Sequence, residues 1–169
     1  MFESVDGYFC ISWARVIDDL VFLDNGGRLF MSGQDILDQT AGTTAFVHDY
    51  LHITWDGTET QNDKPTAHVN GVAGNPVTGT PSTIGAIALD HTVLGPGAAF
   101  EDRITPNGTA QTIFKDDGDP TLTPPLAPQP NGLSYSGTYK VVFLAFPLEA
   151  YGTAAQKADL IGRSFTFFG

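Results

Sequence analysis

The stretch Tyr139-Lys140-Val141-Val142-Phe143-Leu144-Ala145-Phe146 decides the fold. It is nearly all apolar, without the polar alternation of a strand that has one wet face, so it reads as a strand covered on both sides. Pro147 ends it. A shorter run of the same kind, Arg28-Leu29-Phe30-Met31-Ser32, reads as a second buried strand. The two are expected as neighbouring or next-but-one strands of one largely parallel sheet.

Working outward from these strands, apolar residues at Trp13, Val16, Ile17, Leu20 and Leu23 follow the spacing of one helix face, and Asn25-Gly26-Gly27 supplies residues that end a helix. Gly33-Gln34-Asp35 turns the chain at the carboxyl end of the Arg28–Ser32 strand, the place where open α/β sheets usually bind ligands. Phe46, Val47, Tyr50 and Leu51 predict a further helix over 44–51. The tail, 153–168, reads as a closing helix with Thr153 as its cap and Ala154, Ala158, Ile161, Phe165 and Phe168 turned to the core.

Between 56 and 130 the chain is rich in Gly, Pro, Thr, Asn and Asp, with short apolar islands at Ile84–Leu89 and Thr112–Phe114, and it is expected to form short strands joined by long loops. The proline-dense run from Pro120 to Pro130 reads as a surface loop. One domain of 169 residues is the size at which a single core suffices.

Eight basic against 19 acidic residues give 8 − 19 = −11, a field that repels phosphate backbones and anionic lipids, so neither nucleic acid nor a membrane surface is expected as a partner. The single cysteine, Cys10, excludes an internal disulfide and a cysteine-built zinc cluster. No window reaches the length of a membrane span, and the start of the chain lacks the features of a signal peptide.

Four separated motifs, Gly26-Gly27-Arg-Leu-Phe-Met-Ser-Gly-Gln-Asp35, Asp49-Tyr-Leu-His52, Val69-Asn-Gly-Val-Ala-Gly-Asn-Pro76 and Tyr139 to Glu149, occur in an order that resembles the glutamine-amidotransferase-like accessory domain of secreted bacterial peptidases and other exported multidomain proteins. The resemblance implies a flavodoxin-like α/β fold, a mostly parallel sheet flanked by helices. It also implies an N-terminal truncation, with a loop-rich section over about 56–138, and an extracellular setting. In class I amidotransferases a cysteine follows a central strand and a His-Pro-Glu sequence supplies the base. Here Ser32-Gly33 and Phe146-Pro147-Leu148-Glu149 stand in those places, so the resemblance implies a non-catalytic accessory or interaction domain.

The alternative is a small hydrolase of an amide, ester or lactone. A serine hydroxyl needs a base, and the candidates are His48 and His52, at i and i+4 on the expected helix, with Asp35 or Glu149 to orient one of them. Ser32, His48, His52 and Glu149 are thus the catalytic candidates, and Gly33, Gln34, Asp35 and Trp55 the ligand-binding ones. The His-x-x-x-His pair is also a zinc pattern if Asp35 or Asp49 joins it. Asp116, Asp117 and Asp119 put three carboxylates in a glycine-containing turn, a calcium candidate, although an exposed acidic turn is the commoner meaning of such a sequence. No other cofactor is expected. A homodimer is expected, because a sheet short of its leading strands exposes an edge that a second copy can cover; in the alternative, Tyr8-Phe9-Cys10-Ile11 folds back as a substitute strand.

Overall fold

The structure is a computed structural model and describes residues 4–5, 8–9, 20–34, 36–37, 44–54, 66–94, 101–119, 121 and 123–169. The strands are β1 (Ser4–Val5), β2 (Tyr8–Phe9), β3 (Arg28–Ser32), β4 (Ile53–Thr54), β5 (His68–Gly71), β6 (Ala86–Ala88), β7 (Thr105–Pro106), β8 (Gln111–Lys115), β9 (Pro130–Ser136) and β10 (Lys140–Leu144), followed by the helix α1 (Ala154–Phe168).

The two apolar runs are indeed adjacent and parallel: β3 pairs with β10 from Arg28 opposite Lys140 to Ser32 opposite Leu144. They belong to a curled six-stranded sheet in the order β3-β10-β9-β8-β5-β6. Every other pairing in it is antiparallel. The fold is therefore mostly β with a mixed sheet, not the flavodoxin-like, mostly parallel α/β architecture expected from the sequence. The physical reason lies in the connections. A parallel neighbour needs a crossover of a dozen or more residues, whereas β9 returns into β10 through the three residues 137–139. The stretch expected to be mainly loop supplies β5, β6, β8 and β9, more than half of the sheet.

β10 is covered on both faces, as its composition requires. On one side Val142 and Leu144 join Phe114, Phe146, Tyr151, Leu160 and Phe168 in a core closed by α1. Phe146 meets Phe114 edge-on at 5.5 Å and stacks on Tyr151 at 6.0 Å. On the other side Val141 and Phe143 pack with Leu23, Leu37, Val47, Leu51, Ile53 and Leu133.

The expected cap of α1 is present: the Thr153 hydroxyl accepts from the Gln156 backbone N–H, and the Gln156 side chain accepts from the Thr153 N–H. Its buried stripe differs from the expected one. Leu160, Ser164 and Phe168 face the core, whereas Ala154, Ala158 and Phe165 are exposed. Ser164 can be buried because its hydroxyl donates to the Leu160 carbonyl at 2.8 Å. Arg28 and Lys140 reach the far end of the helix and donate to the carbonyls of Phe167 and Phe168, where cations are favoured by the exposed C=O groups.

The helix expected over 44–51 is corrected, and the one expected from Ile11 to Leu23 is described only at its end. The segment 44–51 forms one wide helical turn, Phe46–Tyr50, which ends where His52 adopts φ +58°. Of the helix expected over 11–23, a helical turn is described at 20–24, and Trp13 lies outside the described residues. The described parts of the N-terminal segment, β1 and β2, pair with each other and not with β3.

Candidate functional site

Ser32 ends β3 opposite Leu144, and Gly33 follows with its N–H bonded to the Leu144 carbonyl at 3.2 Å. This backbone geometry holds the serine beside the chain that leaves β10. Its hydroxyl donates to the Phe146 carbonyl at 2.9 Å and accepts from the Leu148 N–H at 2.7 Å. The single hydroxyl proton is thus committed to backbone, and so is one lone pair. A Cβ at Gly33 would lie 2.8 Å from Ile36 Cδ1, so the Ile36 side chain lies close over this glycine. Gln34 is half-buried here, and Asp35 lies outside the described residues. Glu149 is exposed; its carbonyl, not its carboxylate, accepts from Lys157 Nζ at 2.6 Å.

The two histidines lie elsewhere and do not share a face. His48 is exposed, with Nδ1 2.6 Å from the Asp49 carboxylate. His52, turned inward by its left-handed backbone conformation, stacks on Tyr135 at 3.6 Å between ring centres and sits 5.8 Å from the Tyr139 ring. Its Nε2 is 2.9 Å from the Tyr139 hydroxyl, and that hydroxyl donates its one proton to the Asp49 carbonyl at 2.9 Å. By proton count Nε2 is then the donor to the tyrosine oxygen. Burial holds the His52 pKa below its usual value and raises that of Tyr139, so both are neutral near pH 7.

Tyr139 precedes the first residue of β10, whereas Ser32 pairs with its last, a separation of roughly 16 Å along the strand at about 3.3 Å per residue. The histidines were expected to share a helix face after the Ser32 turn. The break at His52 and the position of the segment 44–54 at the other end of β10 place them away from the hydroxyl.

The acidic turn is also dispersed. Asp116 is buried, pairs with Arg103 and accepts from the N–H groups of Gly118 and Gln129. Asp117 binds the backbone and ring of His68 and the amide of Asn70. Asp119 accepts from the Thr121 N–H and hydroxyl. Among the described residues no group of three or more His, Cys, Asp or Glu is arranged to hold a metal ion. Trp55 lies outside the described residues.

Two features were missed by sequence reasoning. The ring cluster of Phe46, Tyr50, His52, Tyr135 and Tyr139 comes from two stretches far apart in sequence, 46–52 and 135–139, and only the spacing of Phe46 and Tyr50 hinted at it. Asn131 is buried at 1% exposure with neither side-chain polar atom hydrogen-bonded to a described residue; nothing in its sequence context signals this.

No family model matches the chain, and no curated protein matches it. Among solved structures the chain is similar to the mmIFT52 N-terminal domain, with a TM-score of 0.53 and 11% identity over 94% of this chain and 72% of that one. At this identity the likeness concerns the fold. It is a likeness of mixed, β-rich sheets and overturns the resemblance to the glutamine-amidotransferase-like domain. Among the described residues no helix is long and apolar enough to cross a membrane.

Proposed function

We propose that this chain is a non-catalytic interaction module that binds other protein chains. One observation carries the non-catalytic half of the reading: the Ser32 hydroxyl ties the end of β3 to Phe146 and Leu148. A nucleophilic serine gives its proton to a base in the reaction, and a hydroxyl bonded on both sides to backbone serves as a structural link. The competing reading, hydrolysis through Ser32, draws no support from this geometry.

The partner we propose first is a second copy of the chain, joined along β3. In the parallel ladder Gly27 O and Gly33 N–H point to β10. By the period of a strand, the N–H and C=O groups of Arg28, Phe30 and Ser32 then point to the other edge. No described residue pairs with that edge, and such edges are ready templates for pairing. A two-fold β3–β3 contact would extend one sheet through both copies. Light scattering at micromolar concentration tests it: a mass of twice the 18.0 kDa of one chain is expected, and a mass near 18.0 kDa removes the dimer. The module reading itself is tested by assaying wild type and Ser32→Ala on model esters, amides and lactones. No turnover dependent on Ser32 is expected, and a loss of about a thousandfold would overturn the reading.

A further inference from the structure

The helical turn 20–24 buries Leu23 at 1% exposure but leaves Val21 and Phe22 at 56% and 55%. Two adjacent large apolar side chains in water are costly unless something covers them. The Phe22 ring lies against the backbone at Gly27, where a Cβ would collide with it.

Beside these two residues stands Asp24, whose carboxylate accepts from the Tyr50 hydroxyl at 3.2 and 3.3 Å. Tyr50 stacks on Phe46 and on Tyr139, and its pKa is raised by burial and by Asp24 and Asp49. The Asp49 carboxylate is exposed, with His48 as its partner. The two cations at this end of the sheet point away: Arg28 donates to Phe168 and Gly26 carbonyls, and Lys140 to those of Phe167 and Phe168. Among the described residues no Lys or Arg forms an ion pair with Asp24 or Asp49.

We infer that the surface of Val21, Phe22, Asp24, Asp49 and Tyr50 docks a basic, apolar segment of a partner protein. A bulky apolar side chain covers Val21 and Phe22, while Arg or Lys pairs with Asp24 and Asp49. The same surface of a second copy does not fit here, because a two-fold contact would set Asp24 and Asp49 against the same carboxylates of the other copy.

The inference rests on the interaction-module reading, and its test is separate from any activity. The probe is a fluorescently labelled eight-residue peptide alternating Arg with Leu and Phe, with two companions: one carrying Glu for Arg, the other Ser for Leu and Phe. Anisotropy is expected to rise with the first peptide only, and Phe22→Ser and Asp24→Asn are each expected to weaken binding by about tenfold. Both positions are exposed, and Val21→Ser repeats the test if Phe22→Ser melts early. Absence of binding by the first peptide overturns the inference. So does equal binding of the polar basic companion, or binding that none of the substitutions changes, since either means general attraction to an acidic chain. Failure here leaves the Ser32 result standing, and Ser32-dependent turnover with intact peptide binding overturns the non-catalytic reading alone.

Discussion

Ser32→Ala separates structural from catalytic use of one hydroxyl. The substitution removes a bond to the fully buried Phe146, whose carbonyl accepts at 2.9 Å, and one from the half-buried Leu148, whose N–H donates at 2.7 Å. Each bond contributes about 1 kcal/mol net, so the variant should lose roughly 2 kcal/mol. For a chain of this size that corresponds to a fall in Tm of roughly 4–8 °C. Ser32→Thr keeps the hydroxyl and should recover most of the loss. Differential scanning calorimetry on the three proteins measures this directly. If Ser32→Ala melts within about 1 °C of wild type, a shift too small for even one such bond, the hydroxyl is not the link described and the reasoning fails.

Other parts of the structure give independent tests. Thr153→Ala removes half of the α1 capping box and should cost about 1 kcal/mol in chemical denaturation. Leu160, on the inner face of α1, is fully buried, and Leu160→Ala should cost about 2–5 kcal/mol; a loss below about 1 kcal/mol would mean that the helix does not close that core. Gly71→Ala places a Cβ 2.6 Å from the Ile84 carbonyl oxygen, and the overpacking should cost about 1–3 kcal/mol. Burial holds the His52 pKa below 6.5, so in that window the unfolded chain binds a proton that the folded chain refuses. Stability should therefore fall as pH drops through 6.5 and below, towards the lower folded pKa, and His52→Asn, which tolerates the left-handed backbone, should flatten the fall in thermal melts.

β10 was legible because burial on two faces leaves a nearly unbroken apolar run; β3, expected as a second buried strand, is the edge strand of the sheet and only half-buried from Leu29 to Ser32. β3 and β10 are strands, as expected, and of the two expected placements, neighbouring or next-but-one, they take the first; β6 and β8 fall on the apolar islands. The long middle section was misread because its strands are made by context. β9 has the sequence Pro-Asn-Gly-Leu-Ser-Tyr-Ser, poor in strand formers, yet Asn131 through Ser134 are buried. Gly132 permits Ile113 and Phe114 to approach to 3.2–3.3 Å of where a Cβ would stand, and Ser134 bonds Asn75, contacts that local propensity does not encode. Taking two parallel strands as the rule for the whole sheet then led to the α/β assignment. At the candidate site, Ser32 and its turn were located correctly in the chain. The i, i+4 relation of His48 and His52 failed because one residue at φ +58° redirects the second ring. The backbone partners of Ser32 lie 114 and 116 residues away, a closure no local pattern reveals.

The central claim, that Ser32 is a structural hydroxyl and not a nucleophile, is tested most directly by covalent labelling. A fluorophosphonate forms a phosphorus–oxygen bond with an activated serine and leaves an ordinary one unmodified, because the attacking oxygen must lose its proton to a nearby base. After incubation of the intact chain with excess reagent, mass spectrometry should find the unmodified 18.0 kDa species. A stoichiometric adduct mapped to Ser32, and absent in Ser32→Ala, would contradict the account.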